Sequence, residues 1–399
     1  MPAAITSIGA VTGHGLGCGP LLRAVLEGRS AIRKVTRFSC EDLCSSVAAE
    51  APSDGDLVKA AAGLGQSPAS DRASRLLLAA ASEALRGRSR SSSKRRAVLV
   101  GTTKGALELA VDGWVAGEVV REDILGAPAR TLALATGTLG PVLTLSAACA
   151  SSAVAVGEAL ALIEDGLCDE AIVGGTEALH SFVYRGFHAL KALSAAPAAP
   201  FDAARSGLSL GEGAVVLVLE ALEHAEVAGR VPIAIVDGFG SSTDGFDQLA
   251  PEPTGAGLVR ACRRAMEHAG VHAKDLDRYH AHGTATVQND RMEAIAHASL
   301  FSGRAVPLCA TKGSVGHTLG AAGALDVAIC ALTLQRQVLP PVANLREVDS
   351  LARVPAVIGT ARSDRGRLAL AVSAGFGGVN AAVLLRNSAG ARQSPSPHG

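Results

Sequence analysis

Short apolar runs of strand character alternate with longer stretches of helical period along most of this chain. Segments 97–101 (AVLVG), 142–145 (VLTL), 170–175 (EAIVGG) and 215–220 (VVLVLE) read as strands. Segments 73–85, 151–166, 257–270 and 324–337 carry apolar residues at helical spacing. Strand, turn and helix in repeated succession predict an α/β protein built in layers. A fresh strand-like run, 231–239 (VPIAIVDGF), follows the helical 221–229 and divides the chain into an N-terminal half, 1–230, and a C-terminal half, 231–388. No short repeat is legible, and side chains alone show no duplication between the halves. The Ser/Pro-rich end, 389–399, reads as a disordered tail.

Composition narrows the picture. Of 399 residues, 37 are Lys or Arg and 37 Asp or Glu, so the formal net charge is zero. A protein gripping nucleic acid along its length would carry a basic excess. The hydrophobic fraction is 48% but the aromatic fraction only 3%, with 45 glycines, which calls for a core of Ala, Val and Leu on closely packed elements. The uncharged stretches 131–157 and 368–385 are interrupted by Gly, Pro, Ser or Asn, so neither reads as a membrane-spanning helix. The first residues, MPAAITSIGAV, lack a basic region ahead of an apolar one and do not read as a signal peptide. Eight scattered cysteines form no paired framework, and the expected compartment is the reducing cytoplasm. One basic run, Arg86, Arg88, Arg90, Lys94, Arg95 and Arg96, reads first as a solvated loop and second as a docking patch for an acidic partner. Arg121 and Arg130 are further docking candidates.

Candidate chemistry begins at Cys149, between the strand 142–145 and a helix of small residues. A thiol at a helix start feels the N-terminal dipole, which favours the thiolate, and the local N–H groups can hold an oxyanion. Alone, it reads as an inert buried cysteine, the commonest fate of a free Cys. The second half adds AHGTAT, with His282, Thr284 and Thr286, followed by Glu293, and TKGSVGHTLGAAG, with Lys312 and His317. Two histidines, each beside glycine and a hydroxyl, point to paired imidazole donors around one cavity. His280 and His282 form an H-x-H pair without further ligands at useful spacing, so no metal is expected. Gly375-Phe376-Gly377-Gly378 joins two apolar runs, where glycine permits close backbone approach to a ligand. The glycines of GHGLGCG (13–19) do not make a dinucleotide fingerprint.

Taken together, AACASS around Cys149, AHGTAT around His282, TKGSVGHTLGAAG and GFGG resemble the elongating, Cys-His-His branch of the β-ketoacyl-acyl-carrier-protein synthases, in the thiolase-like superfamily. ITSIGAVTGHGLG and PFDAARSGLSLGEGAVVLVLEALEHA extend the resemblance over nearly the whole chain. It implies a thiolase-like five-layered αβαβα fold of two similar halves. It also implies a homodimer, or a heterodimer with a chain-length-factor-like subunit in a polyketide system. Cys149 would take an acyl chain as a thioester, with the backbone N–H groups of Cys149 and Phe376 as oxyanion hole. His282 and His317 would stabilise the enolate formed when malonyl-carrier protein loses carbon dioxide. Lys312 would pair with Glu293 and fix the loops, Thr284 and Thr286 would bind the phosphopantetheine arm of the acyl carrier protein, and Phe376 would gate the acyl pocket. No cofactor is implied beyond that carrier-borne arm. The sequence departs from the pattern at His280, where Asn is common, and at Ala371, Val372, Ala374 and Val379 around the gate. Competing readings are a CoA-dependent thiolase, a silent partner subunit, and a cysteine protease using Cys149, His282 and Asn380.

Overall fold

The computed structural model describes residues 2–64, 69, 71–88, 95–117 and 123–388. The N-terminal half contributes strands β1 (Ala3–Thr12), β2 (Arg96–Gly101), β3 (Val142–Leu145), β4 (Glu170–Glu177) and β5 (Gly213–Ala221). They lie in the order β3-β2-β4-β5-β1. The C-terminal half contributes β6 (Ala234–Thr243), β7 (Arg278–His280), β8 (Leu308–Cys309), β9 (Leu368–Gly375) and β10 (Val379–Asn387), in the order β8-β7-β9-β10-β6. Within each half the order is therefore third-second-fourth-fifth-first. Directions match as well. The first two pairings are parallel and the last two antiparallel in both sheets. Even a register shift is shared, between Ile5 and Ser7 where β1 meets β5 and between Val236 and Gly238 where β6 meets β10. The duplication absent from the side chains is thus plain in the backbone. The two sheets join where β1 pairs antiparallel with β6, from Ala3↔Val236 to Ile5↔Ala234.

The helices repeat too. In the first half α1 (Arg72–Ala84), α2 (Ala127–Thr136) and α3 (Ser151–Glu164) follow the first, second and third strands; α4 (Ser181–Ala189) follows β4. In the second half α5 (Ala256–His268), α6 (Val287–Leu300) and α7 (Ala322–Gln335) hold the positions of α1, α2 and α3. Helices α3 and α7 pack on each other between the sheets, α1 and α2 cover one outer face, and α5 and α6 the other. This is the five-layered αβαβα arrangement. The central layer explains why α3 and α7 are apolar on nearly every side, as helices buried all round must be. Its core is built from aliphatic side chains such as Val156, Leu160, Ile163, Leu217, Ile329 and Val383. The outer helices approach closely because glycine faces them. A Cβ on Gly9 would lie 2.0 Å from the Ala80 carbonyl oxygen of α1, and one on Gly240 2.2 Å from that of Ala261 on α5. Among the described residues no helix is long and apolar enough to cross a membrane.

Three of the four described residues of the basic run are ion-paired within the fold. Arg88 pairs with Glu170 and Glu220, Arg95 with Asp169, and Arg96 with Glu170. Arg86 is exposed, while Arg90, Lys94 and Arg121 lie outside the described residues, as does the tail 389–399. Arg130 pairs with Asp123 at 2.7 Å.

Candidate active site

The candidate residues follow the C-terminal ends of strands: Cys149 after β3, His282 after β7, Lys312 and His317 after β8, Phe376 after β9. Ligands gather at such ends in α/β sheets because helix N-termini and irregular loops converge there. Since β3 and β8 are equivalent in the repeat, the Cys149 and His317 loops precede the two central helices. Ser152 Oγ accepts the Ala324 N–H at 2.9 Å and ties the starts of α3 and α7 together.

Cys149 sits on a tight turn. Ala148 adopts a positive φ of 48°, and Ser151 Oγ donates to the Ala148 carbonyl (2.6 Å) while accepting the Ala147 N–H (2.9 Å). Gly375 packs against this turn, and a Cβ there would lie 3.0 Å from the Cys149 nitrogen. Burial pushes the thiol up to about 11, outweighing the Lys104 and Lys312 charges and the Phe376 backbone N–H directed at its sulfur. Depth in the fold therefore moves the thiol away from the thiolate form expected from sequence.

Cys149, His282, His317, Thr284, Thr286 and Phe376 line one cavity of about 630 Å³, whose exposed end carries Lys191 and Arg291. The two imidazoles are buried, with ring centroids 5.4 Å apart and planes at 83°. Burial and then the Lys312 charge lower the His317 pKa to about 3, and the same causes hold His282 well below the ordinary imidazole value. Both rings are neutral near pH 7. The Leu319 N–H donates to His317 Nδ1 at 3.3 Å, which leaves the proton on Nε2 as a donor. His282 Nδ1 is buried with no partner among the described residues. Thr284 and Thr286 are linked through their hydroxyls at 3.0 Å, and Thr286 caps α6. The Phe376 ring stacks on Phe187 of α4, centroids 5.9 Å apart. Of the four departures near the gate, Ala374 lines the cavity.

Two expectations need correction. Lys312 does not pair with Glu293; its Nζ donates to Asp326 Oδ2 at 2.8 Å, with both side chains buried. Glu293 is already engaged, accepting the backbone N–H of His282 (2.7 Å) and of Gly283 (2.8 Å) and so holding the His282 turn. Sequence reasoning missed Asp326, although a lone acid in the uncharged stretch of α7 was a signal for a buried cation. The protease arrangement also fails, because Asn380 Nδ2 donates to Asp244 Oδ1 (2.7 Å) and to the Gly378 carbonyl, away from the cavity.

The chain is similar to known proteins over nearly its whole length. The model of the β-ketoacyl synthase N-terminal domain matches residues 1–225 and that of the C-terminal domain residues 233–346. The chain is 34% identical to 3-oxoacyl-[acyl-carrier-protein] synthase 2 of Rhizobium meliloti, over 97% of this chain and 99% of the relative. It is 33% identical to the tetracenomycin polyketide synthase ketoacyl synthase alpha subunit of Streptomyces glaucescens, over 96% of each. Among solved structures it is similar to the ishigamide ketosynthase/chain length factor (TM-score 0.90, 30% identity, 97% of this chain and 99% of that one). A β-ketoacyl synthase from Burkholderia phymatum gives a TM-score of 0.85 at the same identity and coverage. The chain belongs to the β-ketoacyl synthase family.

Proposed function

We propose that the chain is a β-ketoacyl-acyl-carrier-protein synthase that performs a decarboxylative Claisen condensation in fatty-acid or polyketide elongation. The observation that carries this reading is the meeting of one buried thiol and two neutral imidazoles in a single cavity. In the first half-reaction the Cys149 sulfur attacks an acyl thioester on the carrier protein. The new Cys149 thioester forms as the pantetheine sulfur leaves with the proton. Cysteine suits this step because it is both nucleophile and competent leaving group. In the second, malonyl-carrier protein loses carbon dioxide, and its thioester oxygen takes the charge of the enolate. Neutral N–H donors on His282 and His317 stabilise that oxygen; one such donor is worth about 3 kcal/mol. The carbanion then attacks the Cys149 thioester, whose oxygen is held by the Cys149 and Phe376 N–H groups, and collapse releases the β-ketoacyl-carrier product and the Cys149 thiolate, which takes a proton from water entering the cavity.

Thr284 and Thr286 bind the phosphopantetheine arm in this scheme, Phe376 gates the acyl group, and Lys312 adds its charge to burial in keeping both imidazoles neutral. No cofactor is needed beyond the carrier-borne arm, and the working compartment is the cytoplasm. The halves divide at 230/231. A specific observation favours assembly with a second chain, either a copy or a chain-length-factor-like subunit. The edge strand β3 shows Val142 and Leu143 at 38% and 39% exposure, near Leu134 and Leu139 at 72% and 61%, an apolar edge of the kind proteins cover.

Intact-protein mass after incubation with acyl-carrier proteins tests the reading. Wild type gains one acyl mass and Cys149→Ala gains none. Absence of a gain on wild type, with and without a cysteine-lacking partner subunit, refutes it.

A further inference from the structure

His280 lies two residues before His282 and is fully buried. On β7 it is paired with Cys309 of β8 and Ala371 of β9, so its backbone stands inside the parallel part of the sheet. Its ring makes no contact with the cavity that holds Cys149. It is nonetheless fully engaged: Nε2 lies 3.3 Å from Asp326 Oδ1 and 3.5 Å from Thr311 Oγ1, and Nδ1 lies 3.5 Å from Cys309 Sγ. The same Asp326 carboxylate takes Thr311 Oγ1 on Oδ1 at 2.6 Å and Lys312 Nζ on Oδ2 at 2.8 Å.

A buried carboxylate with two oxygens has several acceptor directions, and a lysine ammonium is a point charge that follows whichever oxygen is free. With Thr311 and His280 both on Oδ1, only Oδ2 is left for Lys312. We propose that His280 is a positioning residue for the decarboxylation half-reaction: by occupying Asp326 Oδ1 it holds the Lys312 ammonium where its charge acts on His282 and His317. The inference rests on the roles given above to those two histidines.

The surroundings of the ring support it. The groups facing His280 are Asp326, Thr311, Cys309 and Cys330, with Lys312 beyond the carboxylate. Burial opposes a charge on His280, but Cys309 and Asp326 outweigh it and favour the imidazolium. A side chain without a donor at 280 would leave Asp326 Oδ1 to Thr311 alone and open that oxygen to Lys312.

The test separates the two half-reactions in the full-length protein. Acyl transfer to Cys149 is read by intact mass, and decarboxylation of malonyl-carrier protein by carbon dioxide release across a pH series. His280→Ala, which takes the donor away from Asp326 Oδ1, is expected to keep acyl transfer within about twofold and lower the kcat of decarboxylation roughly 10- to 100-fold, with little change in KM, the scale on which partners of catalytic groups act. Because His280 acts through Lys312, the double variant with Lys312→Met should lose no more than Lys312→Met alone. If His280→Ala does not fold, His280→Leu serves with the same readouts. Decarboxylation within about twofold of wild type, a parallel loss in both half-reactions, or additive losses in the double variant each overturn the proposal. A wild-type protein that accepts no acyl group instead overturns the catalytic reading itself.

Discussion

Removing the Lys312 ammonium by Lys312→Met tests the buried charge arrangement most directly. Lys312 and Asp326 are 2% and 3% exposed, so water cannot replace the lost partner. Breaking a buried ion pair from one side destabilises a fold by about 3–5 kcal/mol. Thr311 and His280 still serve Asp326 Oδ1, which places the expected loss near the lower end, ~3 kcal/mol. The pH dependence fixes the cause. In wild type, burial raises the Asp326 pKa, but Lys312 and His280 more than offset this and hold it well below its ordinary 3.8. Its stabilising contribution is therefore present above about pH 4 and lost only as pH falls below that. In the variant burial is opposed only by His280 and Thr311, and with the largest lowering charge gone the carboxyl shifts upward. The penalty then grows as pH rises through the new value and shrinks as pH falls toward 4. Urea denaturation followed by circular dichroism at pH 5, 6.5 and 8 should show a loss largest at pH 8 and least at pH 5. Lys312→Met with Asp326→Leu should recover only part of the stability and none of the activity, since it removes both buried charges but leaves Thr311 Oγ1 and His280 Nε2 without their acceptor. A loss under about 1 kcal/mol at pH 8, or one independent of pH, would refute the reasoning.

Other consequences are equally open to measurement. With its thiol at about 11, Cys149 should be alkylated by iodoacetamide about tenfold faster for each pH unit between 7 and 10, and a plateau below pH 9 would contradict the burial argument. Burial raises the Glu293 pKa to about 7 from its ordinary 4.5, so wild type should lose stability as pH rises through that window. Glu293→Gln should flatten the dependence of Tm on pH between 5 and 8, and equal slopes for the two proteins would sink the assignment. Gly375→Ala places a Cβ 3.0 Å from the Cys149 nitrogen, where backbone must shift. Acylation of Cys149 should slow by roughly tenfold while stability falls by only about 1–3 kcal/mol, and a normal acylation rate would show that the turn tolerates the methyl group.

The elements were legible because periodicity is a local property. The run 142–145 is β3 to the residue, and the helical patterns at 73–85, 151–166, 257–270 and 324–337 lie over α1, α3, α5 and α7. The motif residues that line the cavity were legible as types. What failed were quantities set by the third dimension. Cys149 stands near a helix start in sequence, but only the fold shows how deeply it is buried and that burial raises its pKa. Glu293 and Asp326 were equally available to Lys312 by sequence, and the choice turned on Glu293 being used by the His282 and Gly283 backbone. The basic run could not be read as ion-paired because Asp169, Glu170 and Glu220 reach it through β4 and β5.

The repeat was illegible for a different reason, and that reason bears on how the site arose. Strand order, direction and even the bulge near the start of β1 and β6 are the same in both halves, while the loops after equivalent strands have diverged completely. After β3 stands a tight turn with a nucleophilic cysteine; after β8 stands a glycine-rich loop with a lysine and a histidine. Packing constrains the strands and central helices, since α3 and α7 must fit between two sheets, but it leaves the loops at the strand ends free. Because α3 and α7 pack together, with Ser152 bonded to Ala324, those divergent loops face one cavity. Neither half carries both a thiol and the imidazoles in that cavity, so the proposed chemistry requires the duplication that the side chains no longer display.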